Sequence, residues 1–491
     1  MLTGAINTNV SALYALNSLN NTTNATQTLE QELSSGLSIN SPADNPAGYI
    51  AAQGFTAQLS GVNQATSNAN QAISLVQTAD GAITQQVNIL QNILSIASQA
   101  ANGGATSQQL ASLQQVVSQL QTEVSSIANQ TNFNGVNLLN GTFQNVNFQV
   151  GAQAGQTIGL TIGSTAANQV GAYGSSVLGG GIYTATGAGT GGVGDNTGAS
   201  FTISATGAFT AAAVGVSGSA GNASFTPTAD ESALNVAAAV NGLTSQTNVS
   251  ATADTSVAFT VTAGTISFTL GNGIPTAQTN TAAINATISA VTASGLANLV
   301  SQINNASGQT GIVAAVNSNN QLVLTQSQGD NISIHGVVGT ASLAAGGTTL
   351  VGGGTTLALV QGLTTLQSTS SFGLSNSDVG LAVTSSLSAL SSVNVSTQAG
   401  ATAALNVVNF ALQQLENVGG QLGATQQQLQ ATVANLQSTA TNITAAKGVV
   451  QDANIPQVTT ELTQQEILQQ AGVSALAQSS TLQQSFLKLL Q

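Results

Sequence analysis

The sequence has no cysteine, no tryptophan, one histidine and only two basic residues, Lys447 and Lys488, among 491. Each shortage excludes a class of function. Without cysteine there is no disulfide framework, thiol nucleophile or Cys/His zinc site. A lone His335 leaves one candidate for imidazole chemistry, with hardly any partner set for it to work with. Fifteen acidic residues against two basic ones give a formal charge of −13, and nothing in the chain could neutralise a phosphate backbone, which excludes nucleic acid as a partner. Charged residues of both signs make up 3%, against about 25% in an ordinary globular domain. Long apolar runs are missing too. The most apolar stretch, Val337 to Val360, is interrupted by Gly346, Gly347 and the run Gly352 to Gly354, so no membrane-spanning helix and no membrane insertion are expected. Met1 to Val10 lacks both a positively charged start and a continuous apolar segment, so a cleaved secretory signal is not expected.

What is present is 42% hydrophobic residues in a chain long enough for about two to four domains. Composition divides it into Gln/Asn/Leu/Ala-rich ends and a Gly/Thr/Ala/Val-rich middle. The ends carry helical periodicity. Apolar positions fall at Ile73, Val76, Ile83, Val87, Leu90, Leu94 and Ala97, and again at Leu110, Leu113, Val117, Leu120, Val124 and Ile127. The second run alternates steps of three and four, the signature of one narrow seam on a helix, and Asn102-Gly103-Gly104 between the runs predicts an antiparallel hairpin. Towards the C-terminus, Val408, Leu415, Leu422, Leu429, Leu436, Ile443 and Val450 form an unbroken heptad series, which predicts a long helix in a coiled coil or bundle. Its flanks are mostly Gln, Asn, Ser and Thr, so partner choice cannot rest on interhelical salt bridges. The extreme ends, with Ile6, Val10, Leu13, Leu29 and Leu33, and with Ile467, Val473, Leu476, Leu482, Phe486 and Leu489, are amphipathic and lack neighbours to cover them. They need a partner, which each could supply for the other.

The middle, about 176 to 385, changes to β-branched alternation in Val257–Thr262, Thr265–Leu270, Gln321–Thr325 and Asn331–Ile334. Two short helical patterns, Leu234 to Leu243 and Leu296 to Ile303, each precede a polar turn and a strand-like run. The spacing predicts a repeat of about 65 residues, a helix packed on a small sheet. The fold class expected is therefore mainly α at both ends, as long antiparallel helices in a coiled-coil bundle, with a β-rich α+β central region.

Possible chemical motifs are few. Gly187, Gly189 and Gly192 spell a dinucleotide fingerprint, but they sit in a glycine run with no following helix, which reads as a loop. His335 reads as a surface or strand-end residue near Asp330. Asp230-Glu231 read as the start of the helix near Leu234, where negative charge suits the helix dipole, rather than as a glycosidase pair. No catalytic residue, cofactor or metal is expected.

At this point the ends resemble bacterial flagellin. The resemblance is carried by Ile6-Asn-Thr-Asn-Val10, Leu33-Ser-Ser-Gly-Leu37, Ile39-Asn-Ser41, Ala47-Gly48, Ile73-Ser-Leu-Val-Gln-Thr-Ala79, Gln99-Ala-Ala-Asn-Gly103, Asn132-Phe-Asn-Gly135 with Leu138-Leu139, and Phe148-Gln-Val-Gly-Ala152. At the other end stand Val395-Ser-Thr-Gln-Ala-Gly400, Leu422-Gly423, Ala434-Asn-Leu436, Asp452-Ala453 and Ile467-Leu-Gln-Gln-Ala-Gly472. It covers about residues 1 to 175 and 386 to 491. In the middle, Ser294 to Ala306 followed by Thr310-Gly-Ile-Val-Ala resembles a repeat found in flagellins and hook-associated proteins.

The resemblance implies an exported structural subunit that polymerises into the flagellar filament for swimming, with no enzyme activity. It implies an inner coiled-coil domain of paired termini (1–44 plus 453–491), a helical bundle domain with a β-hairpin (45–175 plus 386–452) and a variable outer domain with two repeats (176–385). The partners implied are other copies of the chain, the flagellar export apparatus and its chaperone, and the filament cap and hook-associated proteins. The location implied is extracellular, in the filament. The assembly seams implied are Ile6, Val10, Leu33, Leu468, Leu476 and Leu489 at the termini, with Leu90, Leu94, Leu429 and Leu436 in the next layer. A hook-filament junction protein and a secreted adhesin or surface-layer protein are the alternatives. One departure stands out: where flagellins bear two arginines, the second followed by a glutamate, this chain has Asn92, Leu94 and Ser95.

Overall fold

The computed structural model describes residues 9–186, 213–227, 231–273, 280–346, 348–351, 356–376 and 381–489. Ile6 and the Gly187–Gly192 run lie outside them, as do the side chains of 482–489, Leu489 included. Nine α-helices are defined among the described residues: α1 (Val10–Ser35), α2 (Pro46–Ala101), α3 (Ser107–Gln130), α4 (Ala233–Gly242), α5 (Thr244–Thr247), α6 (Ala297–Asn305), α7 (Ser307–Thr310), α8 (Gln398–Gln451) and α9 (Ile455–Leu489). Among the described residues, those between α3 and α8 form strands, turns and short helices, so the chain is mainly α at both ends and β-rich in the middle, as expected. It segregates into two compact units: residues 1–80, 143–161 and 421–491 in one, 81–142 and 162–420 in the other.

The helices start and stop where local chemistry dictates. The Asn9 side chain accepts from Ala12 N–H to cap α1, and Gly36 ends it in the left-handed region at φ 72°. Thr106 and Gln109 form a reciprocal capping box at α3. Pro46 opens α2, where its missing N–H costs nothing. Besides Ala52 and Leu75, α2 buries one stripe of side chains, Val62, Ala65, Ala69, Ala72, Val76, Ala79, Ile83, Gln86, Leu90, Ile93, Ala97 and Ala100. These alternate steps of three and four without a break, one coiled-coil seam rich in alanine. Ile73, Val87 and Leu94 are half-buried beside it.

In the first unit, α1 and α9 run antiparallel. Asn9 Nδ2 donates to Ser479 Oγ at 3.0 Å, and Gln469 Nε2 donates to Thr23 Oγ1 at 3.3 Å. The turns are tied by an isolated bridge between Leu37 and Asp452, with Ser38 N–H donating to the Gln451 carbonyl at 2.7 Å. A hairpin of Val146–Gln149 and Thr157–Leu160 lies against α2, where Asn68 Nδ2 donates to the Gln149 carbonyl at 3.0 Å. Gly61 is required there: a Cβ would stand 2.9 Å from the Ala152 methyl. α8 keeps Leu422 and Leu429 buried in this unit, whereas Leu436, Ile443 and Val450 are half-buried.

In the second unit, the beginning of α8 buries Ala401, Ala404, Val408, Ala411 and Leu415. On α3 the buried stripe is Leu110, Val117, Gln121, Val124 and Ala128, while Leu113, Leu120 and Ile127 are half-buried. Among the described residues the main sheet has eleven strands, and the path through seven of them reads Thr281–Ile288, Gly264–Asn272, Ile332–Gly339, Thr356–Ser368, Val249–Val261, Leu322–Gln326 and Val313–Val316. Strand Thr356–Ser368 also pairs along its length with Gly171–Thr186, so the sheet starts a few residues before the compositional change.

The two helix-plus-strand segments of the middle share the same bonds. Asn241 at the end of α4 clamps Ala251, its Nδ2 donating to the carbonyl at 2.9 Å and its Oδ1 accepting from the N–H at 2.7 Å. Asn304 at the end of α6 clamps Ala314 in the same way, at 3.0 and 2.7 Å. Thr247 and Thr310 each close a one-turn helix, α5 or α7, by bonding back to Leu243 and Ala306. The residues that follow, Asn248 at φ 58° and Gly311 at φ 70°, take the same left-handed turn into a strand. α4 packs Val236 and Val240 with Val249 and Leu366, and α6 packs Leu299 and Ile303 with Leu270, Ile284 and Ile332.

Two sequence expectations change. Glu231 lies before the cap of α4, not in its first turn; the cap is Ser232, and the Glu231 carbonyl accepts from Gln361 Nε2 at 2.6 Å. Asp230 lies outside the described residues. His335 is not at a strand end but inside Ile332–Gly339, opposite Thr269 and Leu357 beside a bulge, and burial lowers its pKa.

Candidate assembly surface

α1 and α9 together cover little of their own apolar surface. Thr26 and Leu29 are the buried residues of α1, and Val458 is the buried hydrophobic residue of α9 among the described side chains. Outside that contact, Val10 is 51% exposed, Tyr14 74% and Leu33 37% on α1, and Leu468 is 47% exposed on α9. Leu13, Leu16, Ile467 and Val473 are exposed as well. Two long helices with apolar residues on the outside of their shared contact form a surface that water does not favour. Leu476 is half-buried.

The expected residues of the next layer divide. Leu90 is fully buried within its unit and Leu429 is 1% exposed, so both are spent on the core of the chain. Leu94 and Leu436 are half-buried and available. Leu436 lines an open groove of about 790 Å³ with Val62, Val150, Ile443 and Asn435.

Electrostatics contribute little, because so few charges exist. Glu32 on α1 has its pKa raised by burial, then by the nearby carboxylates of Glu461 and Asp44. Asp44 has its pKa lowered by backbone N–H donors from Ser41 and Asn40, at 2.8 and 2.9 Å. Where many proteins use ion pairs, this one uses neutral amides. Gln121 Nε2 donates to the carbonyls of Leu390 and Val393 at 2.7 and 3.0 Å, and Gln114 Oε1 accepts from Val395 N–H at 2.6 Å. Gln86 Nε2 donates to the Val124 carbonyl at 2.9 Å, and Gln414 bridges Gly171 and Thr369. Sequence reading missed Gln86 and Gln121 because a glutamine in a helix counts as polar flank; their place in the three-four spacing was the available signal. Among the described residues no group of three or more His, Asp or Glu side chains is placed to hold a metal, and no helix is long and apolar enough to cross a membrane.

Comparison with known proteins bears directly on this surface. Residues 6–144 match the family model of the bacterial flagellin N-terminal helical region, and residues 405–490 match that of the C-terminal helical region. The B-type flagellin of Pseudomonas aeruginosa is 31% identical over 511 aligned residues, spanning 99% of both chains. The chain belongs to the flagellin family. Flagellin B of Helicobacter pylori is 30% identical over 541 aligned residues, again 99% of both. Flagellin B of Vibrio cholerae is 42% identical over 159 residues, which is 32% of this chain and 42% of that one. A solved structure of FliC from Burkholderia pseudomallei matches at a TM-score of 0.30 and 22% identity, over 72% of this chain and 99% of that one, a likeness too distant to carry an argument. As a flagellin, the chain is a structural subunit of the bacterial flagellar filament and serves motility; the junction-protein and adhesin alternatives are not favoured.

Proposed function

We propose that polymerisation of this flagellin runs through the exposed apolar faces of α1 and α9, with Ile6, Val10, Leu33, Leu468, Leu476 and Leu489 as intersubunit residues. The carrying observation is the α1–α9 pair, whose helices meet along one side and leave Val10 and Leu468 half open to water. Stacked subunits would close that surface, so ordering of the termini and polymerisation become one event. Leu94 and Leu436 extend the contact into the next layer, while Leu90 and Leu429 hold the helices that present them. The inner pair 1–44 with 453–491, the bundle 45–175 with 386–452 and the outer part 176–385 are the radial layers of this reading.

The same reading makes the chain non-enzymatic and extracellular, exported through the flagellar secretion channel with a chaperone and built into the filament beneath a cap, on hook-associated proteins. The test is Leu468→Asp and Val10→Asp in the full chain, followed by elongation on preformed filament seeds. Elongation reduced at least tenfold, with the monomer's circular dichroism unchanged, supports the reading. Elongation at the parental rate in both variants contradicts it.

A further inference from the structure

The main sheet treats two of its edges differently. At strand Val313–Val316, Asn304 occupies the outward N–H and C=O of Ala314 with its side-chain amide, standing in for a neighbouring strand. Among the described residues, strand Thr281–Ile288 has no such cover beyond Thr281. It pairs on one side only, with Gly264–Asn272, Thr281 opposite Gly271. The direction of its free groups follows from the ladder. Gly273 N–H donates to the Asn331 carbonyl and Ser333 Oγ donates to the Gly271 carbonyl, so odd-numbered residues of Gly264–Asn272 turn their backbone towards Ile332–Gly339. Their partners Thr281, Ala283, Asn285 and Thr287 therefore turn outward. Of these, the Thr281 carbonyl accepts from Gln309 Nε2 at 2.9 Å. No partner stands against the outward groups of Ala283, Asn285 or Thr287 among the described residues.

Natural edges are usually blunted by lysine, proline or a bulge. Thr281–Ile288 has none of these and no charge. Its buried residues Ile284, Ala286 and Ile288 fix its register against the core, and Ala283, Asn285 and Thr287 are exposed. We propose that this edge is a docking site for the same strand of a second copy of the chain, paired antiparallel with Ala283 opposite Asn285 and Thr281 opposite Thr287. That register places free outward groups opposite free outward groups at Ala283 and Asn285, which makes the centre of the strand complementary to itself. No like charges oppose the approach. A polymer that displays many copies of this edge supplies it at high local concentration, so weak pairing becomes lateral association between outer regions.

The absence of cysteine makes a direct test available. Full-length Ala283→Cys and Asn285→Cys chains are prepared separately, then mixed and treated with a mild oxidant. The proposal expects at least about fivefold more disulfide-linked dimer from the mixture than from either variant alone. This reads chain-to-chain pairing whether or not the chain polymerises, so it fails or succeeds separately from the filament reading. A second variant, Ala283→Pro, removes an outward N–H without touching the ladder to Gly264–Asn272, and Asn285→Lys adds like charge with the backbone intact. Both are expected to abolish sedimentation of wild-type assemblies as lateral bundles at low speed. Equal cross-linking in mixed and unmixed samples, or bundling unchanged in both substitutions, would overturn the proposal.

Discussion

Gln121 shows how the chain replaces charge. Its amide is buried in the apolar stripe of α3 and holds the carbonyls of Leu390 and Val393, where an arginine would demand a counter-ion. Gln121→Ala leaves both acceptors buried and unmatched, so a loss of about 1–3 kcal/mol is expected in urea unfolding of the chain. Gln121→Glu should be worse at neutral pH, because a carboxylate would face two carbonyl oxygens, and should recover in acid when it can donate again. Glu32 gives the native chain a slope of the same sign. Its raised folded pKa means that its contribution is present below the ordinary glutamate value and is lost as pH rises through the raised one. Asp44 acts oppositely: its contribution is present above the ordinary aspartate value and is lost as pH falls through its lowered one. Glu32→Gln should therefore raise the melting temperature at neutral pH and leave it unchanged in acid, as read by circular dichroism across the pH series.

Among the elements, the repeated helix-plus-sheet unit is held by one device used twice. Asn241→Ala and Asn304→Ala each remove a two-bond clamp of the same geometry, and each is expected to cost about 1–3 kcal/mol in equilibrium unfolding. A cost confined to one of the two would show that the copies are not energetically equivalent. Both helices and the strands Val249–Val261, Gly264–Asn272, Leu322–Gln326 and Ile332–Gly339 were legible in whole or part, because β-branched alternation and Gly/Asn turns bounded them, whereas Thr281–Ile288 and Thr356–Ser368, on which the helices also pack, were not read. The seam of α2 was only half legible. Val76, Ile83 and Leu90 announce themselves by size, whereas Ala72, Ala79, Gln86 and Ala100 complete the seam and give no such signal. Alanine gives no such signal because its burial is set by what covers it, not by its own size. Leu429 likewise carried the heptad pattern of an assembly residue yet is core, since periodicity reports that a face is covered without saying by which chain. The two asparagine clamps were invisible, because Asn241 and Asn304 meet their strands only after the turn has formed.

At the level of the whole molecule, an interface built from apolar faces and neutral amides should respond weakly to ionic strength and acid. Raising salt from about 0.05 M to about 1 M shortens the Debye length severalfold but finds few charge pairs to screen. Filament length under the electron microscope is expected to hold across that range. Protonation of the fifteen carboxylates removes repulsion that only two lysines could offset, so filaments are expected to persist to about pH 2. Depolymerisation at mildly acidic pH would contradict this. The central claim is that the paired terminal helices are the polymerisation element. Negative-stain microscopy of seeded full-length chain beside a chain lacking 1–40 and 455–491 tests it most directly. Long filaments from the full-length chain alone are the predicted result; filaments from both, or from neither, would contradict it.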